Sequence, residues 1–301
     1  MEQARRILLV GSTEQPKSAA LQRGVALATA AGTPLHIAVL IEPFLTYPLL
    51  SSELKEQIRQ SMLNEQRRIW AGEVEHLRER GLQATCSVTW ADNLHEEILC
   101  QVRELRPVML VKDVQREPSL KRSFVTPLDW HLLRSCPIPV HLVNGALHPR
   151  PRVVVAAVDL IEPDARHSGL NDKIIKAGIG LASQFNAELR LLNIFENMSA
   201  YIASSGEAVA DWAEISEELR AALHQSFVRL ADLYDVPQDR RHFLIGEPIA
   251  SIIEFVAEHH VDVVVMGRAH RKVLDKWLGS TTEAVLHRIS GSVLVIPPED
   301  A

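Results

Sequence analysis

The chain carries one pattern twice, and this repeat constrains the fold more than any single motif. Residues 1–145 and 150–301 read as two divergent copies of one α/β unit. Each copy opens on a short apolar run, Ile7 to Val10 and Val153 to Val158. Continuous apolar runs between polar turns suit strands buried on both faces of a parallel sheet. A helical segment follows in each, 18–31 and 169–185, then a second strand, Leu35–Glu42 and Leu189–Glu196, ending on a glutamate in both. Long helices are predicted over 52–80 and 211–234, each after an irregular stretch. The third strands and their exits are Ser87–Leu94 and Phe243–Ile249, and helices 94–105 and 249–260 lead to the fourth strands. Asp92 suits a helix cap, and Glu247-Pro248 suits a helix start, where proline loses no needed N–H. A final helix and strand close each copy, at Val140–Val143 and Val293–Ile296.

The order is β-α-β-α-β-α-β-α-β, twice. Right-handed crossovers turn that alternation into a parallel sheet with helices on both faces, so the fold class is α/β. The joint runs from Asn144 to Pro151, and its glycine and two prolines mark a boundary short enough to hold the halves close. A length of 301 residues fits two domains, and 47% hydrophobic with 23% charged residues fits a packed protein. A net charge of −6 argues against a broad electrostatic grip on nucleic acid or acidic membrane. Cys86, Cys100 and Cys136 form no C-x-x-C pair and no even framework, which fits a reducing compartment. No stretch approaches the roughly 18 apolar residues of a membrane span, and the opening apolar run is too short for a signal core. A cytoplasmic protein without a membrane span is expected.

The chemistry sits in the second copy. The strand Val263–Gly267 exits through Arg268 into a loop that closes on Gly279-Ser280-Thr281, just before a helix. A phosphate needs donors with little steric cover. Gly279 permits close backbone approach, and Ser280 and Thr281 offer N–H groups and hydroxyls at a helix start. Gly267 lets the chain leave the strand beneath a ligand, while Arg268, Arg271 and Lys272 bring positive charge. A plain helix cap at Gly279-Ser280 is the alternative. Asp159, at the end of the first strand, can accept from a ribose hydroxyl or an adenine amine, or else cap a turn. In the first copy the fourth strand reads Val108–Asp113. Thr13 stands for Asp159, Lys112 for Gly267, and Thr126-Pro127 for Gly279-Ser280, where proline removes a donor.

Other signals are weaker. Gly11–Ser18 imitates a phosphate-binding G-x-x-x-x-G-K-[ST] loop, but Pro16 replaces its second glycine; Lys17 then reads as a surface residue of the first helix. His95-Glu96-Glu97-Ile98-Leu99 lacks the second histidine of a zinc motif, and the neighbours His259-His260 point apart on a helix. No serine lies in G-x-S-x-G. The segments 43–51 and 197–210 follow the second strands, so they read either as a cover over an apolar cavity or as packed loops. Trp70 and Trp212 read as core residues of the long helices.

On Val158-Asp159, Gly246-Glu247-Pro248, Asp262–Gly267, Gly279-Ser280-Thr281 and Ser292–Ile296 the chain resembles the universal stress protein family in its tandem form, over nearly its whole length. The resemblance implies two doubly wound, Rossmann-like five-stranded parallel sheets of the adenine nucleotide alpha hydrolase-like type, strand order 3-2-1-4-5. It also implies an intramolecular pseudo-dimer, paired through 140–143 and 293–296. Nucleotide-binding members carry G-x2-G-x9-G-[ST] after the fourth strand. Here Gly267 matches the first glycine and Gly279-Ser280 the last pair, while His270 replaces the second glycine and eight residues separate it from Gly279. The resemblance thus implies a degenerate domain over 1–145 and a domain over 150–301 with a nucleotide site at Asp159, Met266, Gly267, Arg268, His270, Gly279, Ser280 and Thr281. ATP or a related adenine nucleotide is the expected ligand, in a stress-response binding or regulatory protein with at most weak ATPase activity. Asp275 is the single acid in the loop. The competing reading is an interaction scaffold or a carrier of an apolar ligand beneath 43–51 and 197–210. Protein partners and the pairing of two chains stay open.

Overall fold

The computed structural model describes residues 5–44, 46–114, 128–145, 148–161, 169–196, 212–268, 285 and 288–298. The chain divides into two units, Met1–Arg150 and Pro151–Ala301. Unit one contains β1 (Ile7–Gly11), α1 (Ala19–Ala31), β2 (Leu35–Ile41), α2 (Ser52–Glu79), β3 (Ala84–Trp90), α3 (Leu94–Leu105), β4 (Met109–Asp113), α4 (Leu128–Ser135) and β5 (Val140–Val143). Its strands run β3-β2-β1-β4-β5, with every neighbour parallel. Unit two contains β6 (Val153–Ala157), α5 (Leu170–Phe185), β7 (Glu188–Phe195), α6 (Trp212–Leu233), β8 (Arg241–Ile245), α7 (Pro248–Glu258), β9 (Val263–Gly267) and β10 (Ser292–Ile296). Its order, β10-β9-β6-β7-β8, is the same doubly wound arrangement, again parallel throughout.

The strands are buried because they are apolar on both faces. Leu8, Leu9, Leu110 and Val111 in unit one, and Val154, Val155, Val264 and Val265 in unit two, are fully enclosed. Trp70 of α2 is also fully buried, as a core residue, and it packs on the end of β1. A Cβ at Gly11 would lie 2.9 Å from the Trp70 ring, so glycine is needed there for close packing. The helices start on side-chain caps: Ser18 for α1, Ser51 for α2, Asn93 for α3 and Glu247 for α7. Each such cap contributes about 1 kcal/mol.

Some boundaries move from their sequence positions. Asn93, not Asp92, caps α3, because its carboxamide reaches the Glu96 N–H at 3.2 Å. Strand β3 begins at Ala84, and all seven of its residues pair with β2. Lys17 lies before α1 rather than within it, since Ser18 takes the capping position. Helix α7 stops at Glu258, and His260 turns to a φ of 49°.

The ladders also correct how the two copies align. Ile7 pairs with Leu35 and Met109, while Val154 pairs with Leu189 and Val263, so Ile7 and Val154 are equivalent. Counting forward, Ser12, not Thr13, stands at the place of Asp159. The last pairs of the fourth strands are Asp113 with Val143 and Gly267 with Ile296. Asp113, not Lys112, therefore occupies the place of Gly267. Sequence alignment slipped because the valine-rich strands offer few landmarks, whereas the hydrogen-bond ladder allows one register.

Candidate functional site at the carboxyl edge of unit two

In a doubly wound sheet the ligand crevice lies beyond the carboxyl ends of the strands, where the strand order reverses. In unit two that point is between β6 and β9, which are paired neighbours. Asp159 leaves β6 there, and Gly267 and Arg268 leave β9 beside it. Asp159 is exposed. Its Oδ1 accepts the Ile161 N–H at 2.9 Å, so it caps a turn. Its backbone is gripped from α5: the Asp159 N–H donates to Asn171 Oδ1 at 3.1 Å, and Asn171 Nδ2 donates to the Asp159 carbonyl at 2.7 Å. One residue earlier, Asn193 Nδ2 on β7 donates to the Val158 carbonyl at 3.0 Å.

Met266 is buried in β9 against β10, paired with Val295. A Cβ at Gly267 would lie 2.7 Å from Leu170 and 3.0 Å from Ile174, both in the first turns of α5. Glycine at 267 therefore lets the start of α5 close over the strand exit. The Arg268 N–H donates to the Ile296 carbonyl at 2.9 Å, and its side chain is 6% exposed. Gly169 precedes α5 with a φ of 65°, and the helix has no side-chain cap at that position. Helix α5 has 16 residues against 13 in α1. Both end on a left-handed residue, Asn186 and Gly32, so the additional residues lie at the start. The sequence-predicted residues Asp159, Met266, Gly267 and Arg268 thus meet at one edge. His270, Gly279, Ser280 and Thr281 lie outside the described residues, as do Arg271, Lys272 and Asp275.

The same edge in unit one is built differently. Ser12 Oγ accepts the N–H groups of Glu14 and Gln15 at 3.2 and 3.0 Å, so the imitation phosphate loop bonds to itself. Asp113 Oδ1 accepts the Ala20 N–H at 2.8 Å, and Ser18 Oγ accepts the Leu21 N–H. Two amides that would face an anion at the start of α1 already hold oxygens of the chain. Lys112 Nζ is buried, 2.8 Å from Asp129 Oδ1 of α4, and also donates to the Asp113 carbonyl at 2.9 Å. Asp113, Asp129, Asn171 and Asn193 were not legible as site residues. The only hint was an asparagine inside the apolar strand Leu191–Phe195, where the first copy has Val39.

Among the described histidines, His259, His95 and His242 are engaged by neighbouring side chains. His259 lies 2.8 Å from Arg190 through Nδ1 and packs against Phe255, with ring centres 4.2 Å apart and planes tilted by 53°. His95 Nε2 is 2.7 Å from Ser135 Oγ. Burial, and then the neighbouring His259, hold the His242 imidazole below its ordinary range. Among the described residues no group of three or more His, Cys, Asp or Glu is placed to hold a metal. In the 43–51 segment, Tyr47 packs on Phe44 and Trp90 and donates its hydroxyl to the Lys55 carbonyl at 3.0 Å. The counterpart at 197–210 lies outside the described residues, as does the side chain of Trp212. The three cysteines are free thiols, and no described helix is long and apolar enough to cross a membrane.

Comparison with known proteins agrees with this architecture. The chain is similar to Universal stress protein E of Salmonella typhi, at 29% identity over 98% of this chain and 94% of that protein. It is also similar to Universal stress protein E of Escherichia coli strain K12, at 28% identity over 97% and 94%. Among solved structures, a functionally unknown protein from Pseudomonas aeruginosa PAO1 superposes with a TM-score of 0.75 at 24% identity, covering 99% of this chain and 94% of that one. A universal stress protein from Archaeoglobus fulgidus gives 0.67 at 15% identity over 98% and 97%. The sequence pattern of the universal stress protein family matches residues 4–144 and again 152–297, and the chain belongs to that family.

Proposed function

We propose that unit two binds ATP or a related adenine nucleotide, that unit one is a degenerate copy without such a site, and that the protein serves stress responses as a binding or regulatory module. The observation that carries the reading is the contrast at the two strand exits. Asp159 is held exposed beside the glycine exit of β9 and the start of α5, where the capping residue Gly169 has no side chain to close it. In unit one the equivalent helix start is closed by Asp113 and Ser18. The loop closing on Gly279-Ser280-Thr281, with His270, supplies the phosphate contacts in this reading, and Arg268 supplies nearby charge. Asp275 is the acid on which any slow hydrolysis would depend.

The test is calorimetric titration of ATP into the full chain, into Asp159→Ala and into Gly279→Val. Binding by the wild-type chain, weakened at least tenfold (about 1.4 kcal/mol) in both variants, supports the reading. A wild-type chain that binds no adenine nucleotide overturns it.

A second reading, carriage of an apolar ligand, rests on Leu49, 83% exposed, and Phe44, 41% exposed, beside the Tyr47–Trp90 stack. Mass spectrometry of molecules released from the purified protein separates the two readings. A nucleotide supports the first, and a lipid-like species supports the second.

A further inference from the structure

We infer that Asn171 and Asn193 are positioning residues for Asp159, fixing the carboxylate for ligand recognition; this rests on the proposed nucleotide site. Asn193 lies inside β7, between Leu192 and Ile194, and is 4% exposed. Asparagine is disfavoured in strands, and burying its amide unpaired is costly. Unit one makes the same strand with Val39, fully buried, at the equivalent place. A parallel sheet of this type therefore does not need an amide there. What the amide does in unit two is bind the Val158 carbonyl just beyond the end of β6.

Asn171 acts on the next residue. It is 6% exposed and satisfies both backbone polar groups of Asp159, the N–H and the carbonyl. Two buried amides, from β7 and from α5, thus hold two consecutive residues where the chain leaves the sheet. Unit one has neither asparagine: Lys17, which precedes α1, is exposed, and the Ser12 turn is held by its own hydroxyl and by Gln66 Nε2 of α2, which donates to the Thr13 carbonyl at 3.1 Å. The exit of β6 is consequently fixed on both sides, and the carboxylate of Asp159 extends from a rigid base. A ligand then meets an acceptor already in place, and the ordering cost of binding falls.

The test compares ATP affinity in the full chain for wild type, Asn193→Val and Asn171→Ala, each also in an Asp159→Asn background. Asn193→Val copies unit one, so it should fold. Amide hydrogen exchange of Val158–Ile161 without nucleotide provides a second measurement. The expected result is a roughly tenfold loss of ATP affinity in each single variant, with faster exchange confined to Val158–Ile161. In the Asp159→Asn background the same changes should have little further effect on affinity. Unchanged affinity in both variants, or an equal loss in both backgrounds, overturns the inference while leaving the nucleotide site standing. Absence of ATP binding by wild type removes the site, and the inference falls with it.

Discussion

The two units share strand order and strand register, yet finish the edge between their first and fourth strands in opposite ways. Unit two leaves that edge with a glycine, a helix start capped by Gly169 and an exposed carboxylate. Unit one fills it with an aspartate on the start of α1 and a lysine buried against α4. The copies keep their apolar strand centres and differ at the carboxyl ends of the strands and just beyond them, with Lys112 and Asp113 against Met266 and Gly267, and Ser12 against Asp159.

The largest expected effect comes from breaking the filled edge. Asp129 is 1% exposed, and its partner Lys112 is 8% exposed. Removing one partner of a buried pair leaves a charge uncompensated and costs about 3–5 kcal/mol. Asp129→Ala should therefore destabilise the chain by that order in urea unfolding. Lys112→Met with Asp129→Leu should recover most of the loss, because Met266 already occupies the register position of Lys112 in unit two. If the double variant is no more stable than the single one, the ion pair is not the element that holds this edge.

Transferring unit one's bulk to unit two gives the next effect. Gly267→Ala places a Cβ within 2.7 Å of Leu170. Leu170 can give way only in part, so a cost of about 1–3 kcal/mol is expected from overpacking. Leu170→Ala in the same chain should relieve it. ATP affinity should fall in Gly267→Ala as α5 shifts.

The reverse transfer is smaller. Asp113→Gly removes one oxygen from the Ala20 N–H, a loss of about 1 kcal/mol comparable to a helix cap. It should not create nucleotide binding in unit one, because Ser18 still caps α1 and Lys112 loses no partner side chain. ATP binding by a chain carrying both Asp113→Gly and Gly279→Val would show that Asp113 alone closes unit one.

Much of the fold was legible because its signals are local. Apolar runs of five or so residues, separated by amphipathic helices, allow little besides a parallel sheet, and serines and Glu247-Pro248 announce helix starts. Glu42 and Glu196 were correctly paired, each one residue past its strand. The edge was harder to read. Asp159 stands out because an acid ends an apolar strand, but its supports do not. Asn171 is an ordinary polar residue early in a helix, and its contact with Asp159 depends on how α5 crosses β6. Asp113 ends the fourth strand of the first copy, but its equivalence to Gly267 follows from the ladder and not from the valine-rich sequence. Contacts between elements distant in sequence, such as Lys112 with Asp129, leave no periodic trace.

A final contrast lies on β5 and predicts a difference in acid. His141 is fully buried in unit one, with its Nε2 3.5 Å from Arg23, and the equivalent position in unit two is Leu294. Arg23 also donates to the His148 carbonyl at 3.0 Å. Burial, and then the Arg23 guanidinium, hold the His141 imidazole well below its ordinary range. The folded chain therefore keeps this ring neutral at a pH where the unfolded chain takes up a proton. Its contribution is fully present above about pH 6.5, the unfolded value, and is lost as pH falls below it, by up to about 1.4 kcal/mol per pH unit. His141→Leu copies unit two and removes the titrating group. The stability difference between variant and wild type, measured by urea unfolding from pH 8 to pH 5, should move in favour of the variant as the solution is acidified. A difference independent of pH would mean that the folded chain protonates His141 as readily as the unfolded one, and that Arg23 does not hold it neutral.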